Sequence, residues 1–427
     1  GALTTSTNGR GFNEQSAIDI LNGGTLRDTR SVGHNMGLGT VVTVSGAGSL
    51  LDLSTRVTTL GDLVVERGGI ARVVPMQFSG SNGSFIVREG GRVESAAGLE
   101  DWSFQGTRVL LQGQNTSFLS DRALSINIGT NFVVEDRATV SINLNRDSVL
   151  GNTGALATLD VRSGASFTLT GGVNAGLQMR NSVFRVTDAM VAMGGGLSTG
   201  GSTGNNVISL KNTNFTAGSI SLSNAVDKIT VGGDVGEAAG GAGVFNVGSV
   251  ALNPAGSTMV LNHTGTGFTI GSDFSGSGTI RHIAGGTRLT GNRNTWRGIS
   301  LLSGGSLAVD GIFGDSAGPG TAMTVSGGAV LSGLGTVGGL VTVTDGIIRP
   351  GGDPLTSTAA LLGGNAIGTL TFSGALSLGA ASRIAFQLGA PGTPGVGSDL
   401  INVGGNLILD GTLDVTNAGG FGAGLYR

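Results

Sequence analysis

Val42-Thr43-Val44-Ser45-Gly46-Ala47-Gly48-Ser49-Leu50 decides the fold of this chain: apolar residues at alternate positions, a polar residue, a glycine-rich turn, then an apolar residue again. The same arrangement stands at Ile18-Asp19-Ile20-Leu21-Asn22-Gly23-Gly24-Thr25-Leu26, at Leu63-Val64-Val65-Glu66-Arg67-Gly68-Gly69-Ile70 and at Phe85-Ile86-Val87-Arg88-Glu89-Gly90-Gly91-Arg92-Val93. One apolar residue per unit serves as an anchor, giving Ile20, Val44, Val65, Val87, Leu111, Val134, Val161, Met179 and Leu210. The gaps are 24, 21, 22, 24, 23, 27, 18 and 31 residues, a mean near 24. A period in that range marks a solenoid, in which each unit buries its apolar face against its neighbours. Alternation with a period of two makes the units strands rather than helices.

Composition agrees. Of 427 residues 82 are glycine, far above the usual ~7%, without the G-X-Y period of collagen. The 39% apolar residues are too many and too regularly spaced for a disordered linker. Glycine interrupts every helical window, and no stripe of helical spacing is sustained.

Charged residues make up only 12% of the chain, with 22 Arg, two Lys (Lys211 and Lys228) and a net charge of −3. No basic stripe is available to neutralise phosphates, so nucleic acid is not an expected partner. Residues 1–190 hold 31 of the charged residues and 191–427 hold 20, which makes the first half the more polar surface. The chain has no cysteine, which removes disulfides, thiolate catalysis and Cys-ligated metals together. No apolar run is long enough for a membrane-spanning helix, and no signal peptide is visible. The start at Gly1 and the finish at Leu425-Tyr426-Arg427 read as a piece of a longer precursor.

Four segments are expected: β-helix rungs over 1–225, a Gly/Ala-rich loop or insertion over 226–246, further rungs over 247–367, and a last segment over 368–427. The insertion is suggested by Val235-Gly236-Glu237-Ala238-Ala239-Gly240-Gly241-Ala242-Gly243. The Pro350-Gly351-Gly352-Asp353-Pro354 stretch reads as a loop, because proline cannot serve in a central strand.

The last 150 residues resemble the repeats of bacterial autotransporter passengers. Ser275-Gly276-Ser277-Gly278-Thr279-Ile280, Gly285-Gly286-Thr287-Arg288-Leu289-Thr290-Gly291-Asn292, Thr295-Trp296-Arg297-Gly298 and Gly304-Gly305-Ser306-Leu307 follow one another in the family's order. Leu331-Ser332-Gly333-Leu334-Gly335-Thr336-Val337-Gly338-Gly339 is similar to its LxGxGTVGG, and Ile348-Arg349-Pro350-Gly351 to its LxPG. Gly368-Thr369-Leu370-Thr371-Phe372, Asp399-Leu400-Ile401-Asn402-Val403-Gly404 and Leu409-Asp410-Gly411-Thr412-Leu413 complete the series. Arg281 and His282 stand where the family tends to carry a simpler segment. The resemblance implies an all-β fold, a right-handed parallel β-helix of about 18–24 residues per rung with loop insertions. It also implies type V secretion, with an outer-membrane β-barrel in cis beyond the carboxyl end of these residues. Residues 368–427 resemble the passenger-associated transport repeat, which implies help with folding and export. Sequential rung formation outside the cell, where ATP is absent, disfavours backsliding.

Catalytic constellations are missing from the pattern. His34, His263 and His282 show no metal-ligand spacing. The Gly-x-Ser-x-Gly strings at 196–200, 200–204 and 314–318 lead into no helix, as a nucleophile elbow would require. Glu66 and Arg88 share one offset from their anchors, and Arg67 and Glu89 share the next, which reads as a surface ion-pair ladder. Glu135 and Asp136 repeat those offsets, with Gln112 and Gly113 between. Phe118, Phe167, Phe184 and Phe215 read as an interior stack. Glu100-Asp101-Trp102 reads as a surface contact, with a loop anchor as the plainer reading. Specificity is expected in loops at 96–106, 191–206 and 233–245.

The expected function is therefore a secreted or surface-displayed scaffold for adhesion, anchored to the outer membrane or extracellular, and not an enzyme. It needs no cofactor or metal. Its partners would be a host cell surface, extracellular matrix, glycan or its own kind, besides its own barrel. Two alternatives are a polysaccharide lyase or hydrolase and a released effector that engages a host receptor.

Overall fold

The computed structural model describes residues 2–5, 16–28, 34–37, 39–54, 57–59, 61–79, 83–96, 98, 100–152, 154–200, 204–292, 295–315, 321–351 and 367–426. Among them there is no helix, and every pairing between strands is parallel. The chain is a β-solenoid. It forms two compact units, one of residues 1–209 and 213–218, the other of 210–212 and 219–427.

In the first unit each turn contributes three strands, and equivalent strands of successive turns pair. The first ladder runs Ala17–Leu21, Val41–Ser45, Asp62–Glu66, Ser84–Arg88, Arg108–Gln112, Asn131–Glu135, Ala157–Arg162 and Ser182–Thr187. Ile20, Val44, Val65, Val87, Leu111, Val134 and Val161 are partners in unbroken register along it. The sequence anchors thus mark one face of the solenoid as far as Val161. There the reading slips: Val161 pairs with Val186 rather than Met179. Met179 belongs to the third ladder, where it lies between Leu150 and Thr199. Leu177-Gln178-Met179 alternates as a first-ladder strand does, so local periodicity could not assign it.

Inward residues stack on inward residues and build a dry core. Phe78, Phe85, Trp102, Phe104, Phe118 and Phe132 are all buried and form one ring cluster, with centroid distances from 4.9 Å (Trp102–Phe118) to 6.2 Å (Trp102–Phe104). Such edge and offset contacts add to the area that the rings bury. The four phenylalanines expected inside are buried. Phe118, Phe167 and Phe215 share a second-ladder column with Val140 and Val191, while Phe184 sits on the first ladder beside Leu159.

The corner after each first-ladder strand is a tight turn. Arg67 (φ 52°) and Gly68 (φ 77°) form one, closed by a bond from Gly69 N to Glu66 O at 2.9 Å; Glu89 and Gly90 form the next, closed by Gly91 N to Arg88 O. Two successive positive φ values and a bond of that span are a type I′ turn, normally an Asn-Gly site. Asp136-Arg137 makes the same turn with no glycine, at φ 55° and 67°. Gly91 is needed for another reason: a Cβ there would lie 2.2 Å from the Val65 carbonyl oxygen of the rung before.

The second unit repeats the ladder principle. One ladder includes Lys228–Gly232, Thr258–Asn262, Thr279–Ala284, Ile299–Leu302, Ala322–Val325, Leu340–Val343, Leu376–Leu378 and Leu407–Ile408. A second runs from Phe268–Ile270 through Gly286–Leu289, Ser306–Val309, Val330–Gly333, Ile347–Pro350 and Arg383–Leu388 to Thr412–Asn417. The stretch read as an insertion at 226–246 contains the strand Lys228–Gly232 and the start of Gly243–Leu252. Only 233–242 lies between them, and the chain there turns at Asp234–Glu237 through a backbone bond of 3.1 Å. Of the stretch read as a loop at 350–354, Pro350 instead closes the strand Ile347–Pro350 opposite Gly333, while 352–354 lie outside the described residues.

These corners yield a pair of opposite predictions. Gly91→Ala should destabilise the chain by on the order of 2–3 kcal/mol through the clash with Val65. Arg137→Gly should stabilise it by about 1 kcal/mol by relieving a left-handed arginine. Urea midpoints of the two variants against the parent check both signs.

Candidate functional site

The outward side chains of the first ladder form three columns. One is Glu66, Arg88, Gln112, Glu135 and Arg162. Arg88 binds Glu66 at 2.7 Å, Arg67 binds Glu89 at 3.1 Å, Gln112 Nε2 donates to Glu135 and Asp136 at 3.0 Å each, and Arg162 binds Glu135 at 2.6 Å. The crossed pairs read from the sequence are therefore present and extend further. Burial would raise the Glu66 pKa, but the Arg88 and Ser45 hydrogen bonds and the Arg67 charge outweigh it and hold the carboxyl below its ordinary range. The hydrogen bond to Glu135 raises the Arg162 pKa against the opposing effect of burial.

The second ladder carries a similar column that the sequence reading missed. Arg27, Asp52, Arg72 and Glu94 are register partners with alternating charge, and Arg27–Asp52 and Arg72–Glu94 close at 2.9 and 3.3 Å. Residues 20 to 25 apart in sequence become neighbours only once the rung lengths are known. Exposed pairs of this kind contribute little each. Their main effect is to cancel charge, so that the carboxylates at these offsets are engaged by cations or amides.

The middle outward column of the first ladder is apolar over four rungs: Val64, Ile86, Leu110 and Val133, all half-exposed. On its far side stands a polar column of Asp62, Ser84, Arg108, Asn131 and Thr158. Asp62 Oδ1 accepts bonds from the Ser84 N–H at 2.7 Å and hydroxyl at 2.8 Å. Thr158 Oγ1 donates to Asn131 Oδ1 at 2.8 Å. Arg108 is exposed between these pairs, and no acid among the described residues lies within ion-pair distance of it. Beside the column runs an open groove of about 500 Å³, whose floor includes Gly83, Gly106 and Gly129. Gly106 and Gly129 stack at positive φ of 60° and 70°.

The contact expected at Glu100, Asp101 and Trp102 does not form as a unit. The Trp102 ring is fully buried, stacked among Phe85, Phe104 and Phe118, and its indole N–H reaches the Ser95 and Ser120 hydroxyls at 3.1 Å. Trp102 falls on an inward position of Trp102–Gln105, so it anchors the rung instead of meeting a partner. Asp101 accepts from the Ala123 N–H and pairs with Arg146, and Glu100 stays half-exposed. The stretches expected as loops at 96–106 and 191–206 contain ladder strands, Trp102–Gln105, Met190–Met193 and Leu197–Thr199. Ser198 of the first Gly-x-Ser-x-Gly string lies inside the last of these. Ser202 and Ser316 of the other two lie outside the described residues.

Two histidines of the second unit are interior. The His282 Nδ1–H donates to the Gly304 carbonyl at 2.9 Å, which leaves its Nε2 to accept from the Thr287 hydroxyl at 3.0 Å. The Thr287 oxygen must then accept from His263 Nε2–H, at 2.8 Å. This proton order leaves His263 Nδ1 bare and buried, beside Gly265 but without a hydrogen bond. Burial lowers both imidazoles to about 4. Among the described residues no cluster of three or more His, Asp or Glu is placed to hold a metal.

A β-solenoid of parallel rungs with an apolar interior is typical of autotransporter passenger domains. The comparisons agree. Over 191 residues, 44% of this chain, the sequence is 36% identical to the adhesin BmaC autotransporter of Brucella suis biovar 1 (strain 1330), and those residues span about 5% of that protein. No family model matches the chain, and no solved structure matches it.

The histidine pair gives a pH prediction. In the unfolded chain each imidazole takes up its proton near 6.5, but in the fold only near 4. The unfolded state therefore binds more protons between those values. The contribution is complete above about pH 6.5 and is lost as pH falls toward 4, on the order of 3 kcal/mol per histidine at the acid limit. Thermal unfolding at pH 7.5 and 4.5 should show a larger drop for the parent than for a His263→Gln/His282→Gln variant. Equal drops would sink the assignment.

Proposed function

We propose that this chain is the adhesive part of an autotransporter passenger, displayed at the bacterial outer membrane or released from it. The similarity to a protein named as an adhesin carries this reading. Its contact face is the outward side of the first ladder in the first unit, where a half-exposed apolar stripe is framed by a charge-cancelled column on one side and a polar groove on the other. Flat ladders of this kind suit adhesion because their side chains are held by a rigid backbone. The partners are a host cell surface, extracellular matrix or glycan, or a second bacterium.

The segment 368–427 assists folding and export, in concert with a β-barrel in cis. Its support is that Thr369–Phe372, Leu376–Leu378, Arg383–Leu388, Leu400–Val403 and Thr412–Asn417 extend the ladders of the second unit. A formed rung presents unpaired backbone groups on which the next can pair.

Beads coated with the chain should adhere to cell monolayers or matrix proteins severalfold above beads coated with a bacterial β-solenoid of unrelated sequence. Adhesion at the control level on every surface, including beads of the same kind, would overturn the adhesin reading. In the whole precursor, deletion of 368–427 should reduce the passenger reaching the cell surface, measured by antibody labelling of intact cells. Undiminished display would remove the export role.

A further inference from the structure

We infer that the groove beside Asp62, Ser84, Arg108 and Asn131 binds a linear acidic polysaccharide, laid along the solenoid axis with an anionic group on Arg108. The inference rests on the adhesin reading for its biological use, but not for its chemistry. The first observation is charge. On the same ladder Arg88 and Arg162 are held by acids, as is Arg67 at the corner beside them. Arg108 is exposed at the centre of a polar column and has no such partner. A guanidinium presents a planar fork of donors that suits a carboxylate or sulfate.

The second observation is shape. An open groove of about 500 Å³, lined by Gly83, Gly106 and Gly129 with the polar column, spans several rungs. From Asp62 to Asn131 is three rung steps, roughly 14 Å at about 4.8 Å per step. A pyranose in an extended chain advances by close to one rung, so successive sugars would meet equivalent positions. An extended peptide advances only about 3.3 Å per residue and falls out of step.

The third is amphipathicity. A sugar ring offers C–H faces as well as hydroxyls, and the apolar stripe at Ile86 and Leu110 lies one outward position along the strands from Ser84 and Arg108. Asn131 stands next to Arg108 in the column and Asp62, with one oxygen bonded to Ser84, two rungs away, and they supply donors and an acceptor for hydroxyl groups.

The test is calorimetric titration of the full chain with an oligogalacturonate hexamer, a heparin-derived hexasaccharide and neutral maltohexaose. Binding of an acidic probe and not of maltohexaose is expected, and the stronger of the two acidic arms tells carboxylate from sulfate. Arg108→Ala should weaken that binding at least tenfold with an unchanged Tm, because the side chain is exposed. Arg108→Lys should retain part of it, and Arg185→Ala, outward on a later rung, should retain all of it. Three results would overturn the inference: equal binding of the neutral hexamer, undiminished binding by Arg108→Ala, or no binding of any probe. If no probe binds while the coated beads still adhere to cells, this inference fails and the adhesin reading stands. Binding that depends on Arg108 without bead adhesion has the reverse meaning.

Discussion

Parallel backbone pairing between successive rungs is the constraint from which the rest of this molecule follows. Because the pairing is parallel and in register, each side chain lies about 4.8 Å from its equivalent in the next rung. Each inward position therefore becomes a column of like residues, and each outward position becomes a column that must tolerate its own repetition. Like charges stacked at that spacing would repel. The chain avoids this by alternation, as in Arg27, Asp52, Arg72 and Glu94, or by crossed pairs, as in Glu66–Arg88 and Arg67–Glu89. A low charge content is thus compatible with a well-ordered surface, and an arginine without a counterpart in its column becomes informative.

The same constraint explains which parts were legible in the sequence. Type I′ corners need positive φ at two consecutive positions, so Asn22-Gly23, Arg67-Gly68 and Glu89-Gly90 punctuate the chain visibly and place Ile20, Val44, Val65 and Val87 on one face. Which of three ladders a strand joins is less visible, because all three alternate with the same period. Met179 is such a case: spacing aligns it with Val161, but it pairs with Leu150 on the third ladder. Glu100 and Asp101 before it give Trp102 the look of a surface contact, but it opens a strand on an inward position, as the plainer anchor reading has it, and its polar edge is satisfied by two serines. The His263–Thr287–His282 relay could not be read at all. It depends on strand stacking with a register shift after Leu261, a feature with no local signature.

The candidate site belongs to the illegible part for a related reason. Asp62, Ser84, Arg108 and Asn131 are 22 to 24 residues apart, and each looks unremarkable in its own strand. Only the register turns them into a column and shows that Arg108 lacks a charge partner there. The rung lengths already inferred from the anchors would have sufficed to align them, had the first residue of each strand been followed as closely as the fourth.

The two units fill one scaffold with different chemistry. The interior of the first is built on an aromatic and aliphatic stack in which the indole N–H of Trp102 is bonded to Ser95 and Ser120. The second tolerates ionisable groups inside. His263 lies between Phe268 and His282, and Asp399 is buried with its oxygens accepting from the backbone of Gly368 and Gln387. Burial raises the Asp399 pKa, and those bonds and Arg349 offset part of the rise. A histidine buried neutral and a carboxylate with a raised pKa respond oppositely to acid: protonation opposes the first and suits the second. Acid sensitivity in the second unit is therefore set by the histidine rungs rather than by the rung that Asp399 ties down. In the first unit the described interior carries no histidine. Its outward carboxylates are largely paired with arginine, and solvent screens each pair.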